Sequence, residues 1–99
     1  MIYELFFTED TLEDIKESYT WHEEQKEGLG EEFLLCMDKR IENIVSNPYL
    51  YQQIDKETRA VIIPRFPYRV LYFVVSKRII IQGVLSMSRT SQSWTKRNK

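Results

Sequence analysis

The sequence predicts an α+β fold in which an N-terminal strand precedes an α-helical hairpin, and the hairpin packs on a C-terminal antiparallel sheet of three strands. Apolar residues recur at helical spacing between residues 8 and 47, and Gly28 interrupts that pattern. Residues 58–87 instead hold long apolar runs rich in Val, Ile, Tyr and Phe, which favour strands. A chain of 99 residues is long enough for one core and too short for two, so we expect a single domain over residues 1–99.

The first strand is predicted over residues 2–7, which are rich in Ile, Tyr and Phe. Thr8 then suits the N-cap of the first helix, because Glu9 and Asp10 follow it in the first turn, where acidic side chains complement the helix dipole. We expect this helix to end near Lys26.

The buried face of the first helix is predicted from its apolar residues. These are Leu12, Ile15 and Tyr19, with Trp21 or His22 near the same stripe. Charged residues cover the rest of the helix, so one face is expected to be buried and the other solvated. His22 itself is expected at an exposed position.

A glycine-containing turn joins the two predicted helices. Gly28 suits the C′ position of the first helix, and Gly30 lies just before the second, which starts at Glu31. Asn47-Pro48 ends the second helix, because a residue before proline is disfavoured in the helical region. The apolar residues expected to face the core are Phe33, Leu34, Met37, Ile41, Ile44 and Val45.

Three strands are predicted in the second half of the chain. Residues 49–57 form a connecting loop with a short extended piece, and the strands cover Thr58–Ile63, Tyr68–Val75 and Arg78–Met87. Ser76-Lys77 is short enough for a two-residue hairpin between the last two strands. An antiparallel meander is the simplest arrangement.

Strict alternation assigns the side chains of these strands to two faces. Tyr72 and Leu71 fall on opposite faces of the central strand, and Ile81 and Val84 fall on opposite faces of the last strand. Both faces are largely apolar, and one helical hairpin covers only one of them. We therefore hypothesise that a partner chain packs on the second face.

Charge is divided unequally between the two halves of the chain. Residues 1–50 carry 13 acidic and 4 basic residues, whereas residues 51–99 carry 2 acidic and 10 basic residues. The asymmetry favours a polyanionic or acidic partner for the second half. The alternative is that the basic sheet simply pairs with the acidic helices.

The composition indicates a cytoplasmic protein without a membrane partner, metal or cofactor. No apolar run reaches the roughly 18 residues of a membrane helix, and the N-terminus lacks the basic segment of a signal peptide. Cys36 is the only cysteine and lacks a metal-ligand spacing, so we expect a small buried side chain there.

The C-terminal residues Arg89, Trp94 and Arg97 place cations around an aromatic side chain. This combination suits phosphate contacts with stacking on a base. A solubilising terminus without a binding role is the alternative.

Several short segments resemble one protein family when taken in order. They are Gly28-Leu29-Gly30-Glu31-Glu32-Phe33, Asn47-Pro48, Arg59, Phe66-Pro67-Tyr68-Arg69-Val70-Leu71-Tyr72, and Arg89 with Trp94 and Arg97. In this order the chain resembles the RelE/ParE superfamily of toxins from bacterial type II toxin–antitoxin systems, and most closely its ParE-like branch. The resemblance implies growth inhibition and plasmid stabilisation by a toxin that a cognate antitoxin neutralises in a hetero-oligomer. It also implies one of two targets, DNA gyrase or messenger RNA on the ribosome.

The resemblance also implies site residues. Candidates for contacts with the target or antitoxin are Arg59, Arg65, Arg69, Tyr72, Arg89, Trp94 and Arg97. Candidates for a catalytic role are Arg65, Arg69, Ser86 and Arg89. RNA cleavage needs an acid–base group, and Ser86 stands where many family members have histidine, although Tyr68 or Tyr72 offers a phenol. The resemblance therefore favours gyrase binding, with a ribosome-dependent endoribonuclease or a non-toxic binding module as alternatives, and leaves enzymatic activity open.

Overall fold

A computed structural model describes residues 2–87 of the chain. The elements are β1 (Glu4–Phe7), α1 (Glu9–Gln25), α2 (Leu29–Ser46), β2 (Arg59–Ile62), β3 (Tyr68–Val75) and β4 (Arg78–Ser86). The predicted α+β class and the order of its elements are confirmed. Arg89, Trp94 and Arg97 lie outside the described residues, so their roles stay predictions. Within the described part of the chain, no helix combines the length and apolarity needed to cross a membrane.

The four strands form one mixed sheet in the order β1-β4-β3-β2. The antiparallel meander of β2, β3 and β4 is confirmed, and β1 extends it as a fourth strand that runs parallel to β4. The predicted two-residue hairpin is also confirmed, because Val75 pairs with Arg78 and Ser76 takes the left-handed conformation at φ 55°. Both helices pack on one face of this sheet.

The core between the helices and the sheet is apolar and centres on α2. The predicted stripe of α2 is confirmed, with Phe33, Met37, Ile41 and Ile44 buried. The strands contribute Val61, Val70, Tyr72, Ile79, Ile81 and Val84 to the same cluster. Cys36 is only partly buried, because it lies at the margin of this core.

Helix α1 begins as predicted but buries a different face. Thr8 is its N-cap, and the Thr11 backbone N–H donates to Thr8 Oγ1 over 3.1 Å. The predicted apolar face is wrong for Leu12, which is 56% exposed, whereas Ile15 packs against the core as expected. The buried residues of α1 are instead polar, and they are Thr11, Asp14, Ser18 and His22. We call these four residues the polar stripe.

Burial of the polar stripe is supported by hydrogen bonds that Thr11 and Asp14 form with β4. The Thr11 hydroxyl donates to the carbonyl oxygen of Ile81 over 2.7 Å, and the Val84 backbone N–H donates to Asp14 Oδ2 over 3.0 Å. Polar groups lose little on burial when such bonds replace those to water. The polar stripe thereby joins α1 directly to β4.

A β-bulge changes which residues of β4 face the helices. Leu71 pairs with Gly83 but Tyr72 pairs with Ile81, so Gln82 is an extra residue in β4. The extra residue resets the two-residue alternation of side chains. Val84 therefore joins Ile81 in the core, and the prediction that they lie on opposite faces is wrong.

The turn between the helices differs in detail from its prediction. Gly28 is the N-cap of α2, in the left-handed region at φ 89°, rather than the C′ residue of α1. Gly30 lies within the first turn of α2 rather than before it. The carboxylate of Glu23 accepts the backbone N–H groups of Gly28 and Gly30, each over 2.9 Å. The side chain of Glu23, which belongs to α1, thus caps the N-terminus of α2.

The face of the sheet that points away from the helices is only partly exposed. Leu71 and Leu85 lie on it and are buried, although neither belongs to the core cluster. The exposed apolar side chains lie near the rim of this face, at Phe6, Ile62 and Val75. Packing of a partner chain on this face stays a prediction.

Candidate functional site

A cleft opens between the C-terminal half of α1 and the adjoining ends of β3 and β4. Its volume is about 650 Å³, within the range of roughly 300–1,000 Å³ that is usual for small-ligand sites. The lining residues are Glu17, Ser18, Trp21, His22, Pro67, Tyr68 and Ser86. Ser86 was predicted as a site residue, and Tyr68 was named as a possible source of a phenol. We call this feature the α1–β4 cleft.

His22 lies in the wall of the α1–β4 cleft and is 5% exposed, so the expectation of an exposed position is wrong. Its ring stacks on Phe33 and meets Phe66 edge to face. His22 Nδ1 lies 2.7 Å from the carbonyl oxygen of Ser18. A carbonyl oxygen can only accept, so Nδ1 carries the hydrogen, and Nε2 of the neutral ring is an acceptor.

The α1–β4 cleft combines acceptors with aromatic surfaces. Glu17 brings a carboxylate, Trp21 and Tyr68 bring rings, and Ser86 brings a hydroxyl. No lysine or arginine within residues 2–87 lines it. In the same part of the chain, no three His, Cys, Asp or Glu side chains are grouped so as to hold a metal ion. The described lining suits a ligand that donates hydrogen bonds.

Arg59 and Tyr72 were both predicted as contact residues. Both donate hydrogen bonds to backbone carbonyls of the loop that follows α2. Tyr72 is fully buried, and its hydroxyl donates to the carbonyl oxygen of Pro48 over 2.6 Å. The Arg59 guanidinium donates to the carbonyl oxygens of Tyr51 and Tyr49 over 2.7 and 3.2 Å. Burial raises the pKa of Tyr72 to about 12, which keeps its phenol protonated and donating.

We expect Tyr72→Phe to lower the free energy of unfolding by about 1–2 kcal/mol, because the buried Pro48 carbonyl loses its donor. Urea unfolding followed by circular dichroism measures the change. Tyr49→Phe is the matched control, since that residue is exposed, and it should leave stability within about 0.5 kcal/mol of the parent. Equal stability of the two variants would contradict a structural role for the Tyr72 hydroxyl.

Arg65 lies in the turn before β3, in the left-handed region at φ 73°. Its guanidinium donates to Glu32 Oε1 over 2.6 Å, and this hydrogen bond raises the pKa of Arg65. Both side chains are largely exposed, and exposed ion pairs contribute little stability. Arg65 therefore remains accessible to an anionic partner that competes with Glu32.

Arg69 lies on the face of the sheet that points away from the helices, opposite Ile62 on β2 and Leu85 on β4. Within residues 2–87, its Nε is a buried nitrogen without a hydrogen-bond partner. Arg59 and Ser86 lie on the other face, because they pair in register with Tyr72 and Tyr68. The predicted site residues are thus divided between the two faces, and their binding roles stay predictions.

Comparison with known proteins identifies the class of this fold and then its family. The fold matches a chain of the chromosomal ParDE toxin–antitoxin system of P. aeruginosa, with a TM-score of 0.76 and 15% identity over 86% of this chain and 96% of that one. It also matches a mutant of the E. coli toxin RelE in the free state, with a TM-score of 0.69 and 16% identity over 99% and 96% of the two chains.

A chain of the intact E. coli RelBE toxin–antitoxin complex matches with a TM-score of 0.60 and 17% identity over 85% and 95% of the chains. Comparison with curated protein sequences gives no significant match. Residues 5–90 match the family described as the ParE toxin of the type II toxin–antitoxin system parDE. The chain therefore belongs to the ParE toxin family, and the resemblance found in its sequence is confirmed.

Proposed function

We propose that this toxin is neutralised by a cognate antitoxin and acts by binding DNA gyrase or an equivalent target. The observation that carries the proposal is the separation of Arg69 from Ser86. They lie on opposite faces of the sheet, and Arg59, which shares the face of Ser86, donates to the carbonyl oxygens of Tyr49 and Tyr51 instead. RNA cleavage needs cations and an acid–base group around one phosphate. Binding of a protein target requires no such convergence.

Arg69 is the described cation best suited to contact the target. Its guanidinium is partly buried on the helix-free face, and its Nε lacks a partner within residues 2–87. A carboxylate of the target would pair with the accessible nitrogens of that guanidinium in charge-assisted hydrogen bonds. Exposed apolar residues at the rim of the same face, including Ile62, add contact area.

An antitoxin partner is supported by the family and by the solved relatives. The family description names a type II toxin–antitoxin system, and the RelBE structure is titled as an intact toxin–antitoxin complex. The acidic first half and the basic second half of this chain give an antitoxin two surfaces of opposite charge to engage.

The test compares expression of the chain alone with co-expression of the protein encoded by the adjacent open reading frame. We expect growth arrest in the first case and normal growth in the second. Purified toxin should then inhibit supercoiling by gyrase without cuts in translated messenger RNA. Arg69→Ala should raise the inhibitory concentration at least tenfold, about 1.4 kcal/mol of binding energy. Lys39→Ala removes the same charge from the exposed surface of α2 and should change it less than about twofold.

A ribosome-dependent endoribonuclease is the second candidate, favoured by the imidazole of His22 in the same cleft as Ser86. It predicts mapped cuts in messenger RNA with supercoiling intact. That pattern would overturn gyrase binding as the mode of action. Good soluble expression without growth arrest would instead indicate that the chain is a non-toxic binding module.

A further inference from the structure

The α1–β4 cleft presents two hydrogen-bond acceptors that lack partners within residues 2–87. Glu17 is an exposed carboxylate on α1 with no hydrogen bond or ion pair to another described residue. His22 is 95% buried, its Nδ1–H is used on the Ser18 carbonyl, and its Nε2 has no described partner. The imidazole lies in the wall of the cleft, where a ligand that donates to Nε2 makes a hydrogen bond partly shielded from water. The two acceptors therefore select a ligand rich in donors.

Aromatic surfaces flank these acceptors. Trp21 is 55% exposed and its ring meets His22 edge to face, with the centroids 5.0 Å apart. The centroid of the Tyr68 ring lies 5.5 Å from that of His22. Indole and phenol faces attract cations, most strongly where water is displaced. The surfaces thus favour a flat cation over a neutral donor.

The charge around the α1–β4 cleft also favours a cationic ligand. The helical half of the chain is strongly acidic, and no described lysine or arginine lines the cleft. A phosphate or carboxylate ligand would be repelled by Glu17, and an aliphatic side chain would leave the Nε2 of His22 unsatisfied. An ammonium group would neutralise Glu17, but it lacks the planar shape that stacks on indole.

We propose that the α1–β4 cleft binds the guanidinium group of an arginine that the antitoxin presents. The guanidinium donates to the Glu17 carboxylate and to His22 Nε2 while its plane stacks on Trp21 or Tyr68. The identity of the partner rests on the proposed function, whereas the chemistry of the cleft does not. The acidic helical surface attracts a basic antitoxin at long range, and the cleft adds a specific contact for one arginine side chain.

The chemistry of the cleft is tested on the full chain, made by cell-free synthesis, with N-acetyl-arginine amide as the probe. His22 is the only histidine, so its imidazole nitrogens give unambiguous nuclear magnetic resonance signals. We expect the probe to shift the Nε2 signal of His22 and the indole signal of Trp21. N-acetyl-citrulline amide, a neutral analogue of the same shape, should bind at least about fivefold more weakly.

Two charge-matched variants locate the contact. Glu17→Gln should weaken binding of the arginine probe about fivefold or more, whereas Glu42→Gln, on the exposed surface of α2, should change it less than twofold. Equal binding of the arginine and citrulline probes, or equal effects of the two variants, would overturn the proposal.

The role of the antitoxin is tested by calorimetry with the protein from the adjacent open reading frame. Glu17→Gln should raise the Kd about tenfold relative to Glu42→Gln. If the antitoxin binds both variants as tightly as the parent, the inference fails while the proposed function stands. If the parent chain neither arrests growth nor binds that protein, the proposed function fails, and the arginine titration still decides what the cleft binds.

Discussion

Replacing Asp14 with alanine is expected to lower the free energy of unfolding by about 2–3 kcal/mol. The Asp14 carboxylate is buried and accepts the backbone N–H of Val84 beside the bulge in β4. Alanine would leave that N–H in the protein interior without a partner. Hydrogen bonds to charged groups are stronger than those between neutral groups, so the loss exceeds that of an ordinary surface contact.

Urea unfolding of three variants tests this role of Asp14. Asp14→Asn keeps an acceptor oxygen and should lose less stability than Asp14→Ala. Glu13→Ala removes a carboxylate from the exposed face of the same helix and should stay within about 0.5 kcal/mol of the parent. If Asp14→Ala were as stable as Glu13→Ala, the polar stripe would not hold α1 on the sheet.

Gly30→Ala should lower the free energy of unfolding by about 1–3 kcal/mol, although alanine is normally the better helix former. A Cβ at this position would lie 2.8 Å from the Tyr19 carbonyl oxygen, the Tyr19 ring and the Glu23 carboxylate. The carbonyl belongs to the backbone of α1 and cannot move aside by a change of rotamer. Opening the two helices would also disturb the hydrogen bonds from Gly28 and Gly30 to Glu23.

Gly28→Ala is the matched control for Gly30→Ala. No atom of residues 2–87 lies within 4 Å of a Cβ added at Gly28, so the expected cost there is that of the left-handed backbone, about 1 kcal/mol. Thermal unfolding should rank the parent first, Gly28→Ala second and Gly30→Ala last. An increase in stability for Gly30→Ala would show that the two helices have room to separate.

The parts of the fold that could be predicted are those specified by local pattern. The stripe of α2, the N-cap at Thr8 and the hairpin at Ser76 each depend on residues a few positions apart. The face of α1 could not be predicted in this way, because the partners of Thr11 and Asp14 lie in β4. From the sequence alone, a stripe of polar residues is assigned to the solvent-exposed face, because its hydrogen-bond partners lie far away in the chain.

The candidate site was predicted even less completely. The resemblance to the family pointed to Ser86, but His22 was assigned to the surface and Glu17 was not singled out. A signal was present in the spacing of the polar stripe, whose members follow a helical period of three to four residues along α1. The bulge at Gln82 also left a signal, because Gly83 interrupts the apolar run of β4 and a glycine inside a strand often marks a bulge.

The hydrogen bonds between α1 and β4 limit how early the N-terminal elements can fold. The hydrogen bonds from Thr11 and Asp14 reach residues that follow them by 70 positions, and β1 also finds its partner strand in β4. During synthesis, the N-terminal strand and the polar stripe of α1 have no partners until β4 has been made. Pairings between such distant segments form late because they close the longest loops. The surfaces built jointly by α1 and β4 therefore arise only after the ribosome has completed nearly the whole domain.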